Sequence, residues 1–181
     1  MKKHIYLLAV CLSVFACSKT PSPIQVTAPV QFGGYELQPP QGYWYFPRQL
    51  PTDLRKKEDY FAVMTFVSNK EDMPDKNKKM SAHFLFFNFS IAEKKYGSFE
   101  AYYNGAKQAG AIFNDLPAEA VVLKKIPNWS CKQAEVSYPT IACSTLKDDI
   151  LSIYVTGSDK AEVFSTIPQL KQMIESVRAK Q

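Results

Sequence analysis

Two apolar runs constrain the fold of this chain more than any other feature. The stretch Tyr60-Phe61-Ala62-Val63-Met64-Thr65-Phe66-Val67 is built from aromatic, β-branched and other apolar residues, a composition that suits the pleated, buried surface of a strand. Ser81 to Ile91 repeats it, with Phe87, Phe89 and Ile91 falling on one face by alternation. The charged stretch Lys70 to Lys79, which contains Pro74, reads as the loop between them. The chain is therefore expected to build a sheet around these two strands.

The segments on either side extend that sheet and cover it. Upstream, Gly34 to Pro47 holds two short aromatic-rich stretches split by Pro39-Pro40-Gln41-Gly42, which reads as an edge hairpin. Downstream, Ser98 is a candidate N-cap. Phe99, Tyr102, Tyr103, Ala106, Ala109 and Phe113 then recur at helical spacing. The spacing predicts a helix from about Ser98 to Ile112, with Gly105 and Gly110 weakening it and favouring an end near Gly110. Four strands follow, at Ala120 to Ile126, Trp129 to Val136, Thr140 to Leu146 and Ile150 to Thr156, separated by turn-forming residues. Val163, Ile167, Leu170, Ile174 and Val177 fit one face of a closing helix, whose main segment starts at Pro168. This order predicts an α+β domain, an antiparallel sheet packed by helices.

Where the chain works is written in its first residues. Lys2-Lys3 precede an uncharged run from Ile5 to Phe15, which has the length and flanks of a signal peptide. It falls short of the roughly 20 apolar residues of a spanning helix. Val14-Phe15-Ala16-Cys17 resembles the bacterial lipobox, so residues 1–16 are expected to be removed and Cys17 to carry lipid. The rival reading, an ordinary cleavage beside an ordinary thiol, expects a small residue where Val14 stands. Ser18 after the cysteine implies release to the outer membrane by resemblance to the enterobacterial sorting rule. Residues 17–32, with Pro21, Pro23 and Pro29, read as an extended tether, leaving 33–181 as a single domain.

Charge and cysteines narrow the classes further. The formal charge of +5 falls to about +3 once Lys2 and Lys3 leave with the signal, too mild for a nucleic-acid binder. Of four cysteines, Cys11 leaves with the signal and Cys17 takes the lipid, so Cys131 and Cys143 remain. A disulfide is favoured over a metal site or free thiols, because an exported chain meets an oxidising compartment. The mature segment also holds one histidine, His83, and no Cys-x-x-Cys.

The segments Tyr35-Glu36-Leu37-Gln38-Pro39-Pro40-Gln41-Gly42-Tyr43-Trp44 and Met173-Ile174-Glu175-Ser176-Val177-Arg178 are similar to the opening and closing elements of the PsbP-like family. The likeness covers about Gly34 to Arg178. The resemblance implies a PsbP-like fold of the kind found in bacterial periplasmic lipoproteins of unknown role. It carries no photosynthetic or metal-binding role, since no residues here match one.

Little in the sequence suggests catalysis. His83 is the one imidazole available as a general base near neutral pH, and it reads more readily as a strand histidine. Gly-x-Ser-x-Gly, His-Glu-x-x-His, Walker and dinucleotide glycine patterns are all missing from the sequence. Glu71-Asp72 and Asp148-Asp149 read as solvated turns, and the sequon-like Asn88-Phe89-Ser90 and Asn128-Trp129-Ser130 as chance matches. Tyr43-Trp44-Tyr45-Phe46 is different. Four successive rings cannot all point to one face of a strand, so Tyr43, Trp44 or Tyr45 is a candidate partner-binding residue. The bland alternative is that sheet and final helix cover both sides. With no catalytic residue, cofactor or metal indicated, the expected function is that of a non-enzymatic envelope protein that binds a protein partner or aids complex assembly. A carrier of a small or lipidic ligand and a hydrolase with an unfamiliar site are the alternatives.

Overall fold

The computed structural model describes residues 22–32, 34–48, 60–72, 79–90, 97–108, 110–135, 138–146 and 150–179. The expected signal segment 1–16, Cys17 and the first tether residues lie outside the described residues, as do Asp148-Asp149 and the side chains of Phe87 to Ile91. Among the described residues no helix is long and apolar enough to cross a membrane.

The architecture is α+β, with a large antiparallel sheet and a few helices. In chain order the strands begin with β1 (Ile24–Gln25), β2 (Val30–Phe32), β3 (Tyr35–Leu37), β4 (Trp44–Arg48), β5 (Tyr60–Val67) and β6 (His83–Ser90). Helix α1 (Phe99–Gln108), β7 (Ile112–Asn114) and a 3-10 segment (Ala118–Lys125) come next. After them lie β8 (Ser130–Glu135), β9 (Pro139–Thr145), β10 (Ile150–Thr156), α2 (Lys160–Ser165), α3 (Ile167–Ser176) and β11 (Arg178–Ala179). Eight strands form one sheet in the order β1-β4-β5-β6-β10-β9-β8-β7, and β11-β3-β2 form a second, small one.

Register decides which residues share a face. One row across the large sheet runs Tyr45, Phe66, Phe84, Val155, Ile141, and the next runs Met64, Phe86, Ile153, Cys143, Cys131. These residues belong to the central core. Helices α2 and α3 close over them with Val163, Ile167, Leu170, Met173 and Ile174, while Leu123 and Leu37 fill from the 3-10 segment and the small sheet. Full burial of a large apolar side chain is worth about 1.5–3 kcal/mol, so this layer supplies most of the driving force. The other face carries the rows His83, Thr156, Thr140, Ala134 and Ser152, Ser144, Ser130.

The helix boundaries follow local chemistry. The Ser98 side chain accepts from Ala101 N at 3.2 Å, satisfying a donor that the first turn leaves free. At the other end of α1, Gly110 lies at φ 94°, and Ala111 N donates to Ala106 O while Gly110 N donates to Lys107 O. That is a Schellman ending, so the helix stops before Gly110 and leaves Ile112 and Phe113 to an edge strand. The closing helix is two helices, broken at Thr166, whose hydroxyl turns back to Val163 O at 2.7 Å. Asp159 caps α2, accepting from Ala161 N and Glu162 N at 2.8 and 3.2 Å. Those backbone donors hold its carboxyl below the usual aspartate range.

Three expectations need correction. Gly34 to Pro47 is no hairpin: β3 pairs with β2 and β11, whereas β4 pairs with β1 and β5. The Pro40 to Tyr43 turn, with Gly42 at φ 83° and Tyr43 N on Pro40 O, passes the chain from one sheet to the other. Next, Ala118–Lys125 is a 3-10 helix and Ala120 to Ile126 is no strand. Ala120, Leu123 and Ile126 are buried while Val121 and Val122 are exposed, a period of three that matches three residues per turn. Finally, the folded part starts inside the segment read as a tether. Ile24 and Gln25 pair with Tyr45 and Trp44, and Val26 and Val30 are core residues.

Candidate functional site

The aromatic strand β4 distributes its rings to both faces of the sheet. Tyr45 packs on Phe66 with ring centroids 6.0 Å apart, and Tyr43, just before the strand, lies 5.9 Å from Phe84. Both tyrosines are half-buried against the core. Burial, and then the Glu162 carboxylate, push the Tyr43 phenol up from its ordinary pKa. Trp44 and Phe46 point the other way. Phe46 is buried, while Trp44 stays half-exposed with Lys70 Nζ 5.9 Å from its ring centroid, within cation-π range. Of the three candidates, Trp44 is the ring that leaves the helix-covered core.

The second feature lies at the opposite flank. Cys131 and Cys143 stand directly opposite in the β8–β9 register, with sulfurs at bonding distance, 2.08 Å, and Cα atoms 4.0 Å apart. Cys143 is fully buried and Cys131 nearly so. Two residues beyond each cysteine, Trp129 and Thr145 take the same side of the sheet. Here a cleft of about 340 Å³ opens, walled by Tyr35, Trp129, Ile126, Leu151, Ile174 and Val177. The disulfide therefore ties together the two strand ends that form its floor.

Local sequence explains the cleft's walls. Asn128 at φ 64° allows the reversal that brings Trp129 back over Ile126, with Trp129 N on Ile126 O at 3.3 Å. Asparagine tolerates this left-handed backbone better than most residues. On the other wall Arg178 donates through Nη1 to the carbonyls of Glu175 and Val177 at 2.6 and 2.8 Å, closing the C-terminal end of α3. Glu175 pairs with Lys171 at 2.5 Å. Two rings and several aliphatic side chains share the lining with Asn128, Thr145, Glu175 and Arg178, so the cleft is as polar as it is apolar.

The remaining candidates fall into structural roles. His83 is buried and shares a hydrogen bond between Nδ1 and Ser81 O at 2.9 Å, with Nδ1 as the donor because a carbonyl can only accept. Glu71 and Asp72 sit in a turn closed by Asp72 N on Asn69 O. Among the described residues no three His, Cys, Asp or Glu side chains gather where they could hold a metal ion.

Sequence reasoning missed a polar layer on the second face. Ser144 and Ser152 share a hydrogen bond of 2.8 Å, and Thr140 donates to Thr156 Oγ1 at 2.7 Å. The Tyr103 hydroxyl of α1 donates to Ser130 at 3.1 Å. Burial pushes the pKa of that phenol up to about 12, the Ser130 contact pulling it down in part. Tyr103 also packs on Phe113, centroids 4.9 Å apart. Ser152, Tyr154 and Thr156, alternating along β10, were the available signal, whereas β8 offers only Ser130 and β9 only Thr140 and Ser144 on that face. No protein-family model matches this chain, and no curated protein or solved structure matches it.

Proposed function

We propose that this protein is a lipid-anchored envelope protein, held through Cys17 at the periplasmic face of the outer membrane of a Gram-negative bacterium. It works without catalysing a reaction, by binding a protein partner or helping an envelope complex assemble. The observation that carries the binding role is Trp44, half-exposed on the face away from the core and lying against Lys70. Tryptophan anchors interfaces more often than most side chains because it offers a large rigid surface at low entropic cost. A PsbP-like fold is part of the same reading. In its favour, the two segments similar to that family meet in space: Tyr35 and Glu36 pair with Ala179 and Arg178, and Gln38 N donates to Ser176 Oγ at 2.8 Å.

The test is recovery of partners from envelope extracts with the lipidated chain and its Trp44→Ala variant. The variant should keep its melting temperature and lose the partner. Equal recovery would remove Trp44 from the interface. Cys17→Ala should abolish labelling by palmitate, and unchanged labelling would refute the anchor. A second reading, a carrier of a small or lipidic ligand, draws on the cleft between Tyr35 and Trp129. Native mass spectrometry of the protein released from its membrane would show a bound lipid under that reading and none under the first.

A further inference from the structure

We infer that the outer side of the 3-10 segment, carrying Val121, Val122, Lys124 and Lys125, rests on the anionic headgroup surface of the bilayer in which the chain is anchored. The inference depends on the anchored-lipoprotein reading above and adds a face and an occupant to it.

The first support is the chemistry of the segment. Its threefold period turns Ala120 and Leu123 into the core and leaves Val121 and Val122 46% and 44% exposed. Lys124 and Lys125 beside them are exposed too. Neighbouring Asp115 pairs with Lys132 at 2.7 Å and also faces Lys124, so Lys124, Lys125 and Lys132 against Asp115 and Glu119 leave a net positive charge of one. Aliphatic side chains flanked by lysines suit an interface in which apolar groups enter the headgroup layer and cations meet lipid phosphates.

The second support is direction. Ile24 pairs with Tyr45 and Gln25 with Trp44, so the chain enters β1 from the end of the sheet where β4 finishes. Following the antiparallel registers across, that end also holds the start of β10, the end of β9 and the start of β8. Asn114 pairs with Gln133, so β7 finishes there as well. The 3-10 segment joins the end of β7 to the start of β8. It therefore lies at the same end of the strands as the start of β1, at the opposite edge of the eight-stranded order.

The third support is reach. Ile24 is the seventh residue after Cys17, and an extended chain spans at most about 3.3–3.6 Å per residue, roughly 25 Å in all. A folded part that begins at β1 is held close to the bilayer. A contact too weak to hold a free protein becomes populated when the anchor raises its effective concentration.

Hydrogen exchange on the full lipidated protein tests the contact, comparing neutral detergent micelles, phosphatidylcholine vesicles and vesicles of equal phosphatidylcholine and phosphatidylglycerol. Amides of Val121 to Lys125 should be protected in the anionic vesicles alone, and high salt should weaken the protection. The combined Val121→Ser, Val122→Ser, Lys124→Gln and Lys125→Gln variant should lose it while keeping its palmitate label and melting temperature. Identical exchange in all three environments on a chain shown to carry lipid overturns the docking and leaves the anchor standing. If Cys17 proves unlipidated, the anchor is rejected and the docking that rests on it falls with it, an outcome distinct from unchanged exchange on a lipidated chain.

Discussion

On the helix-covered face of the large sheet, Phe66, Phe84, Phe86, Ile153 and Ile141 are fully buried against α2 and α3. On the other face of the same strands, Thr65, His83, Thr140, Ser144 and Ser152 are also buried. The first face gains by removing apolar area from water, with Thr145 a buried polar residue at its cleft end. The second buries Phe46, Val67, Ala134 and Ala142 beside hydroxyls that have partners, as in Ser144 with Ser152 and Thr140 with Thr156. Buried polar groups cost free energy when left unpaired. The two faces should therefore fail in different ways, one by cavities and the other by orphaned hydrogen bonds.

The largest effect should come from the apolar face. Phe84→Ala, at the centre of the row between Phe66 and Val155, is expected to cost about 3–5 kcal/mol of unfolding free energy in urea titration. A loss no greater than that of a single serine on the other face would break the comparison. Next comes the disulfide on the same face. Reduction, or Cys131→Ala with Cys143→Ala, should cost about 3 kcal/mol, since the bond closes a short loop in the unfolded chain. The folded, oxidised protein should resist thiol alkylation, and rapid modification of two thiols would contradict the bond.

The second face calls for a double-mutant cycle. Ser144→Ala or Ser152→Ala alone leaves a buried hydroxyl unpaired and should cost about 1–3 kcal/mol, whereas the double variant should cost less than the sum. Strict additivity would show that the pair contributes nothing as a pair. The smallest effect is expected at Tyr103, where Tyr103→Phe should cost about 1 kcal/mol by removing the Ser130 hydrogen bond. Its raised pKa favours the neutral phenol in the fold. The stabilisation is thus complete below the unfolded tyrosine value near 10 and is lost as pH rises through about 12. Difference absorbance of the phenolate between wild type and variant should show a group titrating near 12. Titration near 10 would mean that α1 does not shield the ring.

Much of the fold could be read from residues alone, for reasons of period and chemistry. Tyr60 to Val67, Ser81 to Ile91 and Ile150 to Thr156 are long and apolar enough to be strands on any sheet. Ser98, Gly110 and Pro168 mark helix ends by their own hydrogen-bonding and backbone limits. The pairing of Cys131 with Cys143 followed from counting thiols. Among the candidate contact residues, alternation showed that Tyr43, Trp44 and Tyr45 could not share a face, but not which of them the core would take.

That choice belonged to tertiary structure. Trp44 faces away from the core because β4 pairs with β5 in the register that sets Tyr45 opposite Phe66, a contact between residues far apart in sequence. The same holds for β1, β2 and β11, strands of two or three residues that have no periodic signal and no stability alone. They exist because β3 and β4 offer open edges. The sequence by itself determined which stretches would be buried and how the long elements would fold. Which edges the short ones completed, which face each ring took, and that Ala118–Lys125 would coil with period three were decided by the neighbours that only the folded chain supplies.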